Sequence, residues 1–134
     1  MNLATTLMTK ILLLVGAVVA IGIALAILFA TDLFYAGMDF DTGNNINLAN
    51  ELKAPMGLLL VAGVVMLAAL FREEMLLLAL GIGGAVFLSY GAARFLSMLI
   101  DGMPGGSLVT AAWIEVIIGV MCVAAFLFHY PSES

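Results

Sequence analysis

Long apolar runs broken by short polar stretches set the reading of this chain. ILLLVGAVVAIGIALAILFA, residues 11 to 30, is an unbroken apolar run long enough to cross a bilayer as a helix. Three more such runs follow, so the pattern predicts membrane-spanning helices near 9–31, 54–71, 75–100 and 108–129. A polar loop over 32–53 separates the first two, the REE turn at 72–74 the next two, and the Gly-rich DGMPGGS at 101–107 the last two. Short links make the second, third and fourth helices antiparallel neighbours. The expected fold is therefore all-α: one domain over residues 1–134, a polytopic membrane protein built as an antiparallel four-transmembrane-helix bundle.

Boundary residues agree with these limits. Pro55 suits the first turn of the second helix, where its missing N–H costs nothing, and Ser107 suits the N-cap of the fourth. Lys10 followed by an apolar stretch has the outline of a secretory signal, but the run outlasts a usual signal core and no small-x-small cleavage site follows at once. It reads as a retained helix. Gly16 and Gly22 on the first helix, with Gly81, Gly83, Gly84 and Gly91 on the third, would let membrane helices approach closely.

Composition reinforces the membrane reading: 65% of the 134 residues are hydrophobic, 10% are charged, and mean hydropathy is +1.25. The net charge of −5, with Lys10, Lys53, Arg72 and Arg94 as the only Lys and Arg, argues against nucleic acid as a partner. Lys10 and Arg72 fall on one side of the membrane; Asp32, Asp39, Asp41, Glu51, Lys53 and Asp101 fall on the other. The positive-inside tendency then puts both termini in the cytoplasm and the 32–53 loop outside. Cys122, the one cysteine, lies in an apolar run, which leaves packing as its role and removes intramolecular disulfides and CxxC chemistry.

The charges inside the spans carry what chemistry there is. Arg94 lies six residues before the outer end of the third helix and Glu115 seven after the start of the fourth, so both sit roughly 10 Å below one surface. They are expected to pair, because an ionised side chain in hydrocarbon needs a partner. Tyr90, Arg94, Ser97 and Asp101 share one helical stripe, and Ala111, Ala112, Glu115 and Gly119 form a small-residue face to meet it. Asn50, Glu51 and Lys53 join from the outer end of the second helix. The candidate cluster is thus Arg94, Glu115, Asp101, Tyr90, Ser97, Asn50, Glu51 and Lys53, a polar pocket opening outward above a half that is nearly all hydrocarbon.

Other signals point to ordinary roles. DFDTGNN at 39–45 has a calcium loop's carboxylates, but Gly43 stands where an oxygen ligand is needed and no bidentate acid follows at the twelfth position. No metal site or cofactor is expected. His129 and Trp113 read as interfacial residues, and the nine methionines as packing filler.

NELKAPMG at 50–57, ARFLSMLIDGMP at 93–104 and the isolated Glu115 resemble a family of small bacterial four-helix membrane proteins, a DUF4345-like domain of unknown function. The family pattern runs N-E-hydrophobic-R-A before the second helix, G-R-x-x-S-x-x-x-D-G through the end of the third, and an acid within the fourth. The likeness spans roughly residues 45–120 and picks out Asn50, Glu51, Arg94, Ser97, Asp101, Gly102 and Glu115. Lys53 stands where the family tends to have Arg, Ala93 where it has Gly, and Met56 where an aromatic is common. Lys keeps the charge but loses the bidentate fork. The family is distantly similar to DoxX-like four-helix proteins, some of which accompany quinone-linked oxidoreductases. The resemblance implies a bacterial inner-membrane protein.

Three functions stay open at this point. One is a non-catalytic protein, either a small-amphiphile or lipid binder or an accessory membrane subunit, with the lipid bilayer, an amphiphilic ligand, another membrane subunit or a second copy as partners. Another is a proton- or anion-coupled small transporter acting as an oligomer. The last is an intramembrane acid/base enzyme using Glu115 or Asp101 with Tyr90, or a quinone-linked accessory, although no catalytic constellation is evident and the balance leans against an enzyme.

Overall fold

A computed structural model describes residues 3–131, and among these every regular element is helical. In chain order they are α1 (Leu3–Phe29), α2 (Thr31–Ala36), α3 (Ile46–Lys53), α4 (Met56–Ala68), a short 3-10 turn (Glu73–Met75), α5 (Leu76–Asp101) and α6 (Gly106–His129). Four spans, Leu3–Phe29, Ile46–Ala68, Glu73–Asp101 and Gly106–His129, are long and apolar enough to cross a membrane. The all-α four-helix bundle expected from the apolar runs is the observed architecture.

Neighbouring helices run antiparallel. Along α5 and α6, Gly81 lies nearest Phe126, Gly84 nearest Val123, Leu88 nearest Gly119 and Gly91 nearest Val116, so one number falls as the other rises. Along α1 and α4, Gly16 meets Met66 and Gly63 meets Ala20 and Ile21. Lipid tails are as apolar as leucine, so helices in a bilayer associate through close van der Waals contact, which small residues permit. A Cβ on Gly91 would stand 2.5 Å from Val116, and one on Gly119 2.8 Å from the Leu88 backbone nitrogen. Gly22 departs from this role: it faces open space, because the α1 face that meets α4 carries Gly16, Ala17 and Ala20 instead.

The centre is filled by Leu13, Ala17, Met66, Leu80, Phe87 and Cys122, all essentially buried. Cys122 lies against Gly83 as a small hydrophobe. Large apolar side chains such as Val18, 62% exposed, and Leu58, 58% exposed, point outward. Water would penalise such a surface, and a hydrocarbon solvent does not.

The first helix starts at Leu3, six residues before the expected 9, and three further boundaries differ for local reasons. The 32–53 stretch is not a plain polar loop, since it holds α2 and α3. Thr31 donates to the Ile27 carbonyl at 2.5 Å, carrying the chain past the break at Ala30, and Thr42 donates to the Asp32 carboxylate to close the intervening turn. Asn45 caps α3 by accepting from the Leu48 N–H at 3.1 Å. The second span therefore begins at Ile46, eight residues before the apolar run. Ala54 and Pro55 keep right-handed helical backbone, and Pro55 becomes the residue before α4 rather than a residue in its first turn. Ser107 is not a cap either. α6 starts at Gly106 behind Gly105, whose carbonyl accepts from Leu108 at 3.0 Å, and no side chain caps it.

Candidate functional site

Residues from all four spans surround a cavity of about 180 Å³ at the end of the bundle holding Arg94. α1 supplies Ile23 and Ile27, α4 Met56 and Leu59, α5 Phe87, Tyr90 and Arg94, and α6 Leu108, Ala111 and Glu115. α2 roofs it with Phe34 and Tyr35, and Glu51 of α3 stands at its wall. The interior is chiefly apolar and aromatic.

Helical phase explains the polar members. Tyr90 and Arg94 are four apart on α5, and Ala111 and Glu115 four apart on α6, so each pair shares a face. The antiparallel register brings those faces together, and Arg94 Nε donates to Glu115 Oε2 at 2.9 Å. Glu115 is 8% exposed, whereas the Arg94 side chain is 36% exposed. Arg94 bonds through Nε alone; its two terminal nitrogens make no hydrogen bond to the described residues. This leaves donors at the cavity that the protein does not consume.

Tyr90 is committed differently. Its hydroxyl donates to the Pro55 carbonyl at 3.1 Å, joining α5 to the start of α4. Pro55 has no N–H to offer the Glu51 carbonyl, so the helical ladder is interrupted there, and the Tyr90 bond fixes the chain at that weak point. Tyr35, half-buried at the roof, has its hydroxyl held above the ordinary phenol range by burial, an effect that the nearby Arg94 charge opposes.

The expected cluster is therefore divided. Arg94, Glu115, Tyr90 and Glu51 line the cavity. Ser97 lines an open groove on the other side of Arg94, together with Met98 and Pro104, and donates to Asp101 at 2.9 Å. Asp101 is exposed and outside the cavity, because about two helical turns beyond Arg94 carry it toward the surface. Asn50 is exposed, and neither it nor Lys53 lines either space. From α3, Glu51 and Leu52 line the cavity, Glu51 at its exposed edge. Gly119 packs on Leu88 rather than on the polar stripe.

Sequence reasoning missed Phe34, Tyr35 and Met38, which line the cavity from the segment read as loop. The cluster FYAGMDF, too aromatic for a solvated loop, was the available signal. It also left the opposite end as bare hydrocarbon. There Thr9, 6% exposed, meets His129 at 3.0 Å between Oγ and Nε2, and a groove carries Lys10, Glu73 and Glu74. His129 thus bridges the first and last helices.

No curated protein and no solved structure matches the chain. A family model does, and it reaches from residue 8 to residue 126, taking in every helix that contributes to the cavity. By that match the chain belongs to the family described as Domain of unknown function (DUF4345).

Proposed function

We propose that the protein is a non-catalytic membrane protein that holds a small amphiphile in the Arg94 cavity. The observation that carries this reading is the pairing of an apolar, aromatic-walled cavity with uncommitted donors, the terminal nitrogens of Arg94 and the hydroxyl of Tyr35. Ligand sites combine these two features: burial gives affinity and a few polar groups give orientation. At about 180 Å³ the cavity is close in size to the roughly 150 Å³ engineered cavities that accept a benzene ring. It suits a ring or short branched group, not a pair of lipid tails.

Charge narrows the head group. Glu115 cancels Arg94, and Glu51 at the wall adds a negative charge, so an anion gains little there. An uncharged head with hydrogen-bond acceptors fits better. Lys10 and Arg72 at the opposite end support a bacterial inner-membrane placement with both termini cytoplasmic and the cavity in the outer leaflet. An accessory role beside another membrane subunit, or in a homo-oligomer, is compatible with the same cavity.

Native mass spectrometry of the gently purified chain tests the reading, with Ala111→Phe as the variant that fills the cavity. A stoichiometric adduct in the wild type, lost in the variant while its helical content is kept, is the expected result. No adduct beyond bilayer phospholipid in the wild type, or the same such adduct equally in both, would overturn it.

A further inference from the structure

A second site lies at the His129 end, independent of the Arg94 cavity. A groove of about 450 Å³ runs between α1 and the α4–α5 turn, with Lys10 on one wall and Glu73 and Glu74 on the other. Ala69 and Leu76 give it an apolar floor. Its back is a cross-helix hydrogen bond. Thr9 Oγ1 lies 3.0 Å from the Thr5 carbonyl, to which it donates, and 3.0 Å from His129 Nε2, an arrangement that an Nε2–H imidazole satisfies by donating to the Thr9 oxygen. Thr9 is buried, and this bond joins the end of α6 to α1.

The charges across the groove do not satisfy one another. Among the described residues the only ion pair is Arg94 with Glu115, so Lys10 stands more than salt-bridge distance from both Glu73 and Glu74. A cation facing two carboxylates across an apolar-floored space matches a head group carrying its own separated charges. The groove lies at the end of the bundle where the spans Leu3–Phe29 and Gly106–His129 meet the turn before Glu73–Asp101, the end that a bilayer spanned by these helices would leave near its head groups. We propose that it binds a zwitterionic phospholipid with a primary ammonium head, phosphatidylethanolamine in type, its phosphate on Lys10 and its ammonium on Glu73 and Glu74.

The chemistry separates this lipid from its neighbours. A primary ammonium offers three N–H donors to the carboxylates, whereas a quaternary choline offers none. The two carboxylates outnumber the one lysine, so an anionic glycerol head group is repelled. Both distinctions rest on exposed charges, which limits each to a modest factor.

The full chain in nanodiscs of equal parts phosphatidylethanolamine, phosphatidylcholine and phosphatidylglycerol, released into a native mass spectrometer, provides the test. Phosphatidylethanolamine should be retained about fivefold over the other two, the factor expected of one good exposed ion pair. Glu73→Gln with Glu74→Gln should bring it down to the phosphatidylcholine level, and Glu73→Asp with Glu74→Asp should preserve the preference. Lys10→Gln should lower both zwitterionic lipids together. Equal retention in the wild type, a preference for phosphatidylglycerol, or a preference that survives the double glutamine variant would overturn the assignment.

Discussion

Removing Arg94 should harm the fold more than removing the charge of its partner, and removing both should harm it less than removing Arg94 alone. The geometry sets the asymmetry. Glu115 is 11% exposed at its side chain and Arg94 36%, with Nε and Oε2 2.9 Å apart. Arg94→Leu leaves a carboxylate among Ala111, Phe87 and Leu59 with no counter-charge, a change that typically costs 3–5 kcal/mol in a buried pair. The Arg94 side chain is 36% exposed, so the pair is only partly buried and the expected cost is about 3 kcal/mol, the low end of that range. Glu115→Gln leaves a guanidinium that can still reach the open groove, and should cost about 1 kcal/mol. The double variant replaces the pair with a neutral amide and an aliphatic chain, so a net loss of about 1 kcal/mol is expected. Subtracting the single losses from the double gives a coupling near 3 kcal/mol, well above the error of such cycles. The assay is equilibrium unfolding in mixed micelles, read by helical circular dichroism and by fluorescence of Trp113, which packs edge-on to Phe95, the residue after Arg94. A coupling below about 0.5 kcal/mol, or a double variant as unstable as Arg94→Leu, would refute the claim that the two charges stabilise each other.

Two further outcomes follow from packing and ionisation. Gly119→Ala places a methyl 2.8 Å from the Leu88 backbone nitrogen, which cannot yield, so α5 and α6 must part at a net cost of about 1–2 kcal/mol; Gly22→Ala meets open space and should be neutral or gain up to about 1 kcal/mol, both read by the same unfolding assay. Burial raises the Tyr35 phenol above its ordinary 10.0, so its contribution to stability is whole below pH 10.0 and disappears as pH climbs through the raised value. Tyr35→Phe should remove its share of that alkaline dependence, and a wild-type-minus-variant tyrosinate absorbance titrating at the ordinary value would contradict it.

Several features of the candidate site were legible in the residues. Arg94 and Glu115 are isolated charges in apolar runs at matching depth, and the cost of an unpaired ion leaves few alternatives to a contact between them. Tyr90 follows from the four-residue helical repeat. Asp101 and Ser97 share that repeat but leave the cavity because a helix rises while it turns, and the cavity does not follow it to the surface. Tyr35 and Phe34 were out of reach because a short helix such as α2 has too few residues for a periodic pattern, and its position depends on Thr31 bonding back to Ile27 and Thr42 to Asp32. The His129 bridge was out of reach for a related reason, since Thr9 is 120 residues away and neither residue signals the other.

The sequence by itself determined the solvent and the class. Runs of some twenty apolar residues cannot be hidden by a chain of this length in water, and in a bilayer their backbone must be helical because nothing else satisfies its N–H and C=O groups. Short links made neighbouring spans antiparallel. The tertiary structure decided which faces meet and what space they leave. Gly84, Gly91 and Gly119 seat α5 on α6, while Gly16 and Gly63 seat α1 on α4. That choice sets the rotation of each helix, and rotation decides that Glu51 and Tyr35 look into the cavity while Asn50 and Asp101 look away. Hydropathy averages over a helix's circumference and is blind to rotation; contact between particular side chains is not.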